Sequence, residues 1–369
     1  MKLVIDNTIP YIKGVAEPFA TVQYLNSNEF TPEKIKEADA LIVRSIDKCS
    51  RALLEGSNVK LITTATIGFD HLDTAYCKEA AITWQNAPGC NAVSVAQYML
   101  ASFVRIALRN NQSLVAKTVG IVGVGNVGKQ LERLCLAYGM QVLRNDPPRA
   151  EAEGSDGFVD LETIATLADI ICFHTPFTRT GAYATYHLAD KNFFDTLKRK
   201  PWFANASRGG VHDTDALLAA LKEGSVSEAI LDCWEQEPTI NRELLALSSI
   251  ATPHIAGFSA DGKANGTRAC LEAVGKFFAV KVEKLGEVKP APPTQPIIDL
   301  DQFTSHRIEQ AILVSFDPLI VDNALRNAPE TFESLRNNYN HPREFSAYTV
   351  VHATEKEARL LKELGFNIA

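Results

Sequence analysis

The sequence predicts an α/β protein with two doubly wound parallel-sheet domains, one inserted in the other, and a small α+β domain after them. Short apolar runs alternate with helix-like patterns over most of the 369 residues, and the alternation starts afresh near Lys117. A proline-rich stretch at residues 289–296 then separates a last segment of mixed patterns. Such a stretch is stiff and extended, as expected of a linker.

The first hundred residues predict a parallel sheet. The runs LVID, ALIVRS and LITTAT are typical of buried strands, and PEKIKEA and DTAYCKEA are typical of the helices between them. Residues 94–108 follow as a long helix pattern that is apolar on nearly every side, so we expect it to be buried.

The second alternating series predicts six further strands, TVGIVG, MQVLRND, ADIICFH, WFANAS, EAILDCW and IATPHIA. Helix patterns such as VGKQLERLCLAY and TDALLAALKEG fill several gaps, as in a doubly wound sheet. A helix pattern at residues 265–284 has apolar spacing that would let it pack back on the first domain. We therefore expect the first domain, the inserted domain and the C-terminal domain at residues 1–93 with 260–288, 94–259 and 297–369.

Composition limits the classes of partner. The formal net charge is -7, and no basic block occurs, which argues against nucleic acid and anionic membranes as partners. No run reaches the length of a membrane helix, and no export signal is recognisable. The seven scattered cysteines form no CxxC pair, so we expect neither disulfides nor a zinc site, and a cytoplasmic location.

One histidine stands among acidic residues, in the stretch Phe69-Asp70-His71-Leu72-Asp73. The group suggests a metal site, but an Asp that caps the next helix explains it better. We therefore predict no metal.

A glycine loop predicts a dinucleotide site. The residues Gly123, Gly125, Asn126, Val127 and Gly128 form a GxGxxG motif between a strand pattern and a helix pattern. In that context the first glycine makes the turn, the second admits the pyrophosphate and the third lets helix meet strand. Amides at the helix N-terminus then bind the phosphate charge.

Asp146 at the end of the next strand favours NAD over NADP. A carboxylate about 20 positions after the glycines accepts the ribose hydroxyls and repels a 2′-phosphate. Arg144 and Arg149 lie close by in the sequence, so NADP is not excluded outright.

Three loops after late strands carry the polar groups that hydride transfer at a hydroxy acid needs. They are residues 205–210 (NASRGG), 232–238 (DCWEQEP) and 252–257 (TPHIAG). The chemistry needs a base for the hydroxyl proton, a cation for the carboxylate and an acid that orients the base. All three loops lie at the carboxyl edge of the predicted sheet, where open α/β folds bind ligands.

These ordered motifs resemble the signature series of the D-isomer-specific 2-hydroxyacid dehydrogenases. The resemblance implies an NAD-binding Rossmann domain inserted in a flavodoxin-like substrate domain. It implies that Arg208 binds the substrate carboxylate, that His254 is the acid-base and that Glu237, rather than its neighbour Glu235, is the partner of His254. Further cofactor contacts are implied for Thr175, Ala206, Ser207, Asp232 and Gly257.

Further motifs resemble a narrower group of the family that acts on a small phosphorylated hydroxy acid. They are residues 43–45, 65–73, 86–92 and 145–149, with 332–339 and 342–345 in the C-terminal segment. The resemblance implies NAD-linked oxidation of 4-phospho-D-erythronate in vitamin B6 biosynthesis, by a homodimer formed through the C-terminal domain.

Five residues are implied or proposed for the substrate, among them Phe258. Ser45 and Thr66 match substrate positions of the group, and Arg44 is a candidate for the distal phosphate, with Arg343 as a second. Phe258 stands where the group usually has Tyr, and Pro342 stands where it usually has Arg, which affects substrate identity more than reaction type.

Two alternatives remain open from the sequence. The first is another enzyme of the family, acting on 3-phosphoglycerate, glyoxylate or hydroxypyruvate. The second is a non-catalytic NADH-sensing scaffold on the same fold, as in transcriptional corepressors, some of which keep the three catalytic residues. The absence of a basic patch argues against the scaffold.

Overall fold

A computed structural model describes all 369 residues, Met1–Ala369. The strands, in chain order, are β1 (Lys2–Asp6), β2 (Thr21–Leu25), β3 (Ala40–Val43), β4 (Leu61–Thr64), β5 (Thr83–Gln85), β6 (Thr118–Val122), β7 (Gln141–Asn145), β8 (Ile170–Phe173), β9 (Trp202–Asn205), β10 (Glu228–Leu231), β11 (Ile250–Ala251), β12 (Ile297–Asp299), β13 (Thr349–Val351) and β14 (Asn367–Ile368).

The α-helices, in chain order, are α1 (Pro32–Ile35), α2 (Arg51–Leu54), α3 (Thr74–Glu79), α4 (Ala92–Arg109), α5 (Asn126–Ala137), α6 (Pro147–Glu153), α7 (Leu161–Leu167), α8 (Lys191–Thr196), α9 (Thr214–Glu223), α10 (Arg242–Leu247), α11 (Ala260–Phe277), α12 (Arg307–Ser315), α13 (Pro318–Asn327), α14 (Phe332–Asn337) and α15 (Glu355–Leu364).

The chain divides into two compact units. Residues 1–91 with 259–291 form the first, and residues 92–258 with 292–369 form the second. The first unit contains one parallel sheet in the order β2-β1-β3-β4-β5, which is the flavodoxin-like order. Its central strands β3 and β4 are buried throughout, so their sequences are apolar runs. The predicted fold class is confirmed.

Helix α11 returns to the first unit after the long insertion and contacts β4. Ser259 caps it, since the Ser259 hydroxyl accepts the Gly262 N–H at 2.8 Å. The predicted helix ran on to residue 284, which is wrong. The backbone turns at Ala279, whose φ is 53°, and the Val280 N–H donates to the Gly275 carbonyl at 2.9 Å.

The second unit contains a six-stranded parallel sheet in the order β11-β10-β9-β8-β6-β7. The chain runs outward from β6 to β7 and then crosses back to β8 on the other side of β6. This reversal is the switch point of a doubly wound sheet, and a ligand crevice forms there at the carboxyl ends of the strands. All six strands lie where the sequence predicted them.

Helix α4 is the buried centre of the second unit. Fourteen of its eighteen residues are buried, and it contacts α5, α12 and α13. It is the most apolar long helix, yet no helix of the structure has the length and hydropathy required to cross a membrane.

The C-terminal segment, residues 292–369, forms a small parallel sheet in the order β12-β13-β14 with helices around it. Helix α13 contacts β11, the edge strand of the large sheet. The buried Asp322 carboxylate accepts the Ala251 N–H at 2.7 Å, and Arg326 pairs with Asp322 while it donates to the carbonyls of Leu245 and Ser248. The segment thus closes an edge that would otherwise expose unpaired backbone groups.

Candidate active site

The glycine loop joins β6 to α5 with backbone geometry that side chains would obstruct. Gly123 has φ of 90°, and a Cβ there would lie 2.8 Å from the His174 carbonyl. A Cβ on Gly128 would lie 2.3 Å from the Gly123 oxygen. At Gly125 a Cβ would meet open space, and no side chain caps α5, which begins with Asn126 and Val127. The loop is therefore an open cradle with free helix amides, which suits a pyrophosphate.

Asp146 links the end of β7 to this loop. Its carboxylate accepts the Val124 N–H at 2.9 Å and the Arg149 N–H at 3.2 Å. The Arg149 guanidinium donates to the Val124 carbonyl and pairs with Glu153. The Arg144 guanidinium donates to the Gly157 carbonyl at 2.9 Å. Because both arginines already have acceptors, neither is free to hold a 2′-phosphate, which favours NAD.

Two buried polar side chains beside the loop have no partner. Both ring nitrogens of His174 and the hydroxyl of Thr175 are buried without a hydrogen bond. Burial lowers the pKa of His174 to about 4, so the imidazole is neutral near pH 7. Buried polar groups are normally satisfied, and a bound cofactor that brings donors and acceptors would fit these orphaned atoms.

His254 and Glu237 form a direct pair. Nδ1 of His254 lies 2.9 Å from Oε2 and 3.2 Å from Oε1 of Glu237, while the Trp234 N–H donates to Oε1 at 2.9 Å. Burial alone would raise the pKa of Glu237, but the hydrogen bond and charge of His254, the Trp234 N–H and the charge of Arg336 together lower it. Glu237 is therefore ionised near pH 7, and the contact with Nδ1 leaves Nε2 of His254 for a substrate.

Asp232 holds the loop that carries His254. Its carboxylate is buried and accepts the Thr252 hydroxyl and the N–H groups of Ile255 and Ala256, all at 2.7–3.0 Å. His254 itself has a left-handed backbone, with φ of 56°. These bonds from both sides of His254 hold its backbone in that sparsely populated conformation. Gly257 ends the loop, and the cofactor contact predicted for Asp232 stays a prediction.

Arg208 lies on a loop that packs tightly against the Glu237 loop. Asn205 is buried, and its side-chain amide donates to the Arg208 carbonyl at 2.9 Å while its oxygen accepts the N–H and hydroxyl of Ser207. A Cβ on Gly209 would lie 1.9 Å from the Trp234 oxygen. Ala206 is half-buried beside Ser207. The three predicted loops thus meet at the carboxyl ends of β9, β10 and β11, while the Arg208 side chain is exposed.

Glu235 faces a different histidine. Its carboxylate lies 2.7 Å from Nε2 of His187 and accepts the Thr214 N–H at 2.9 Å. The carboxylate that contacts His254 is therefore that of Glu237.

One side chain near the catalytic pair has no predicted role. Ligand atoms of Cys233, Glu237 and His254 lie within 4.8 Å of one another, a spacing that a metal ion accepts. However, burial raises the pKa of the Cys233 thiol well above its usual value, and the thiol points at the Ser207 carbonyl at 3.4 Å. The thiol hydrogen bond and the direct contact between His254 and Glu237 suit this group to proton transfer.

The residue after Gly257 contacts the C-terminal segment. The guanidinium carbon of Arg336 lies 5.7 Å from the ring centroid of Phe258. The ring centroids of Phe258 and His341 are also 5.7 Å apart. Tyr339 packs against His341 in turn. No sequence pattern indicates a role for Arg336, because the contact joins segments that are distant along the chain.

The predicted substrate residues Arg44, Ser45 and Thr66 lie in the first unit, after β3 and β4. Ser45 is exposed, and the half-buried Arg44 donates to the Thr8 hydroxyl at 2.6 Å. The Thr66 hydroxyl donates to the Gly68 carbonyl at 2.9 Å and so shapes its own loop. His71 contacts Thr64, and Asp73 caps α3 as predicted, by accepting the Tyr76 N–H.

Comparison with known proteins identifies the family. Residues 97–256 match the D-isomer specific 2-hydroxyacid dehydrogenase, NAD binding domain, and residues 290–365 match a domain of unknown function, DUF3410. An erythronate-4-phosphate dehydrogenase of Porphyromonas gingivalis is 51% identical over 367 residues, which is 99% of this chain and 100% of that protein. The chain belongs to the erythronate-4-phosphate dehydrogenase family.

Other members of the erythronate-4-phosphate dehydrogenase family include a protein of Escherichia coli ATCC 8739, which is 40% identical over 100% of this chain and 98% of its own length. Among solved structures, a D-lactate dehydrogenase from Aquifex aeolicus in complex with NAD and lactic acid is 25% identical, with a TM-score of 0.60 over 79% of this chain and 100% of that one. A cofactor-bound 3-phosphoglycerate dehydrogenase of Entamoeba histolytica is 25% identical, with a TM-score of 0.63 over 77% of this chain and 97% of that one. The chain is accordingly an NAD-dependent dehydrogenase, and NAD is its cofactor.

Proposed function

We propose that this chain oxidises 4-phospho-D-erythronate to (R)-3-hydroxy-2-oxo-4-phosphobutanoate with NAD. The observation that carries the proposal is the His254–Glu237 pair, with Nδ1 and Oε2 2.9 Å apart, at the ligand-binding edge of an NAD-binding sheet. The names of relatives such as the Porphyromonas gingivalis protein support this choice of substrate.

The reaction separates a proton from a hydride. His254 accepts the proton of the C2 hydroxyl at Nε2, while the hydride leaves C2 and the C2–O bond becomes a carbonyl. Bound NAD supplies the hydride acceptor. Glu237 stays ionised beside Nδ1, so it stabilises the imidazolium that forms and fixes the ring orientation. In the reverse direction the same imidazolium returns the proton.

Arg208 is proposed to bind the substrate carboxylate and the developing carbonyl oxygen. Its planar fork matches a carboxylate in a way that lysine cannot reproduce. Ser45, Thr66 and Phe258 are proposed as further substrate contacts. Arg44, whose guanidinium meets a hydroxyl rather than a carboxylate, is a candidate for the distal phosphate.

The cofactor contacts are proposed from the glycine loop and the strand ends around it. Asp146 would accept the adenosine ribose hydroxyls, and the orphaned hydroxyl of Thr175 would meet the nicotinamide-side ribose. The remaining residues of this set are Gly123, Gly125, Asn126, Val127, Gly128, Ala206, Ser207, Asp232 and Gly257.

The wider setting is also part of the proposal. We place the enzyme in pyridoxine biosynthesis, in the cytoplasm, as a homodimer formed through a C-terminal domain at residues 297–369, with residues 1–93 and 260–288 as the substrate domain and 94–259 as the NAD domain. All seven cysteines are unpaired, which supports a reducing compartment. Ile297, Val314 and Ile320 are exposed apolar side chains of the C-terminal segment that such an interface could cover.

The deciding experiment follows NADH absorbance with 4-phosphoerythronate, 3-phosphoglycerate and glycerate side by side. We expect the highest kcat/KM for 4-phosphoerythronate. A preference for 3-phosphoglycerate would retain the catalytic residues and replace the substrate. If no acid reacts, the assay is repeated with a 2-oxo acid acceptor, because retained NADH masks turnover. Continued silence together with NADH-dependent partner binding would favour the scaffold.

A further inference from the structure

Arg336 is placed at the catalytic loop by a well-anchored helix. Phe332, at the start of α14, is fully buried, and Leu335 packs against the same apolar core. These contacts hold Arg336 half-buried, with its guanidinium carbon 5.7 Å from the ring centroid of Phe258. Phe258 lies four residues after His254, so the cation stands beside the loop that carries the acid-base.

The Arg336 guanidinium has no anion or carbonyl as partner. Its contact is with the aromatic ring of Phe258. By contrast, Arg105 pairs with Asp317 and Arg326 pairs with Asp322. An aromatic face compensates a partly desolvated cation only weakly, because the ring forms none of the five possible hydrogen bonds. The fork is therefore available to an anionic ligand.

The charge of Arg336 reaches the Glu237 carboxylate, and it shares one group with the charge of Arg208, the Cys233 thiol. It lowers the pKa of Glu237, and together with Arg208 it opposes the burial that raises the pKa of Cys233. Two arginines, Arg208 in the loop after β9 and Arg336 in α14, therefore place positive charge near the proposed catalytic pair. The Glu237 carboxylate there is already engaged by His254.

We propose that Arg336, rather than the candidate Arg44, binds the phosphate of the substrate, while Arg208 binds its carboxylate, because Arg44 already donates to the Thr8 hydroxyl. The inference rests on the proposed function, since 4-phosphoerythronate carries an anionic group at each end. A guanidinium binds phosphate through two parallel hydrogen bonds, which are charge-assisted and therefore strong. The C-terminal segment thus contributes a specificity residue to the catalytic unit.

The test compares 4-phosphoerythronate with D-erythronate, which lacks the phosphate. In Arg336→Gln, kcat/KM for the phosphorylated acid should fall at least about 30-fold, as expected for lost charge-assisted bonds. For D-erythronate it should change less than about threefold, since no phosphate is present. Arg336→Lys keeps the charge but lacks the planar fork, so its kcat/KM for 4-phosphoerythronate should lie between the values of the wild type and Arg336→Gln. Inorganic phosphate should inhibit the wild type competitively and the Gln variant at least about tenfold more weakly.

Arg179→Gln is the matched control. Arg179 also meets aromatic rings without an ion pair, 4.4 Å from the Tyr186 centroid, but it is exposed on the loop after β8. Arg179→Gln should leave kcat/KM for both substrates unchanged. NAD affinity and the thermal midpoint of unfolding establish that each variant is folded. If Arg336→Gln is not folded, Arg336→Lys replaces it in the comparison.

The possible failures are distinguishable. If the wild type does not prefer 4-phosphoerythronate to D-erythronate, the proposed function fails, and the comparison moves to 3-phosphoglycerate and glycerate. If the wild type shows the preference but Arg336→Gln lowers kcat/KM equally for both acids, or for neither acid, Arg336 does not bind the phosphate.

Discussion

At the scale of single residues, the site contains residues proposed to react with the substrate and other residues that position them. His254 contacts Glu237 on one ring nitrogen and keeps the other for the substrate. Asp232 and Asn205 are buried and hydrogen-bond to the backbone of the His254 and Arg208 loops, so they position these loops. Replacement of a supporting residue should therefore displace the reacting groups, whereas replacement of His254 would remove the proposed proton acceptor itself.

His254→Ala should lower kcat by at least about 100-fold, because no other group can accept the hydroxyl proton at Nε2. The NAD dissociation constant, followed by fluorescence quenching, should stay within about twofold, since the glycine loop is untouched. Stopped-flow turnover at saturating substrate measures the loss. Near-normal turnover would contradict the assigned role.

Asp146→Ala should relax the selection against NADP, because the carboxylate that repels a 2′-phosphate is removed. The gain should be limited, since Arg149 remains paired with Glu153 and Arg144 remains bonded to Gly157. The ratio of kcat/KM for the two cofactors measures the change. An unchanged ratio would assign the selection to another residue.

At the scale of elements, the central strands of the first unit were predictable because they are buried on both sides. Strands β3 and β4 are buried at every position, so their sequences are unbroken apolar runs. Edge strands β2 and β5 have mixed exposure, and helix α13 leaves Ile320 71% exposed. These three elements were not predicted, because their apolar residues form no distinct periodic pattern in the sequence. The contact of α14 with the catalytic loop was missed for a different reason, because sequence patterns predict elements and not their neighbours.

The attachment of α13 to β11 depends on Arg326. Arg326→Ala would leave the buried Asp322 without its cation and the Leu245 and Ser248 carbonyls without a donor. We expect a loss of about 2 kcal/mol in the free energy of unfolding, since Arg326 is partly exposed and water replaces some of these bonds. Urea unfolding followed by circular dichroism checks the value. Arg359→Ala, which removes an exposed pair with Glu363, is the control and should cost little.

At the scale of the whole molecule, the C-terminal segment extends the dehydrogenase fold. Motif order along the chain was enough to predict two doubly wound sheets, and the family resemblance of the motifs led to the proposed catalytic pair. The association of the segment with the second unit was not predictable, because it depends on packing of α12 and α13 against α4. The proposed dimer is the remaining question at this scale.

Ile320→Glu combined with Val314→Glu should convert the proposed dimer to a monomer. Both side chains are exposed and apolar, and a buried carboxylate at an interface carries a large desolvation cost. Light scattering after size-exclusion chromatography measures the mass. Leu136→Glu, at another exposed apolar position, is the control. A dimer that persists unchanged in the double variant would place the interface elsewhere.

The stretch from Arg336 to Phe345 is attached at both of its ends. Arg336 and His341 rest on Phe258, and the Phe345 N–H donates to Gln97 of α4 at 3.1 Å. The stretch therefore connects helix α4 to the turn that follows His254. A single proteolytic cut within it should make that turn more mobile, while the glycine loop stays intact. The cleaved enzyme should still bind NAD but lose its turnover.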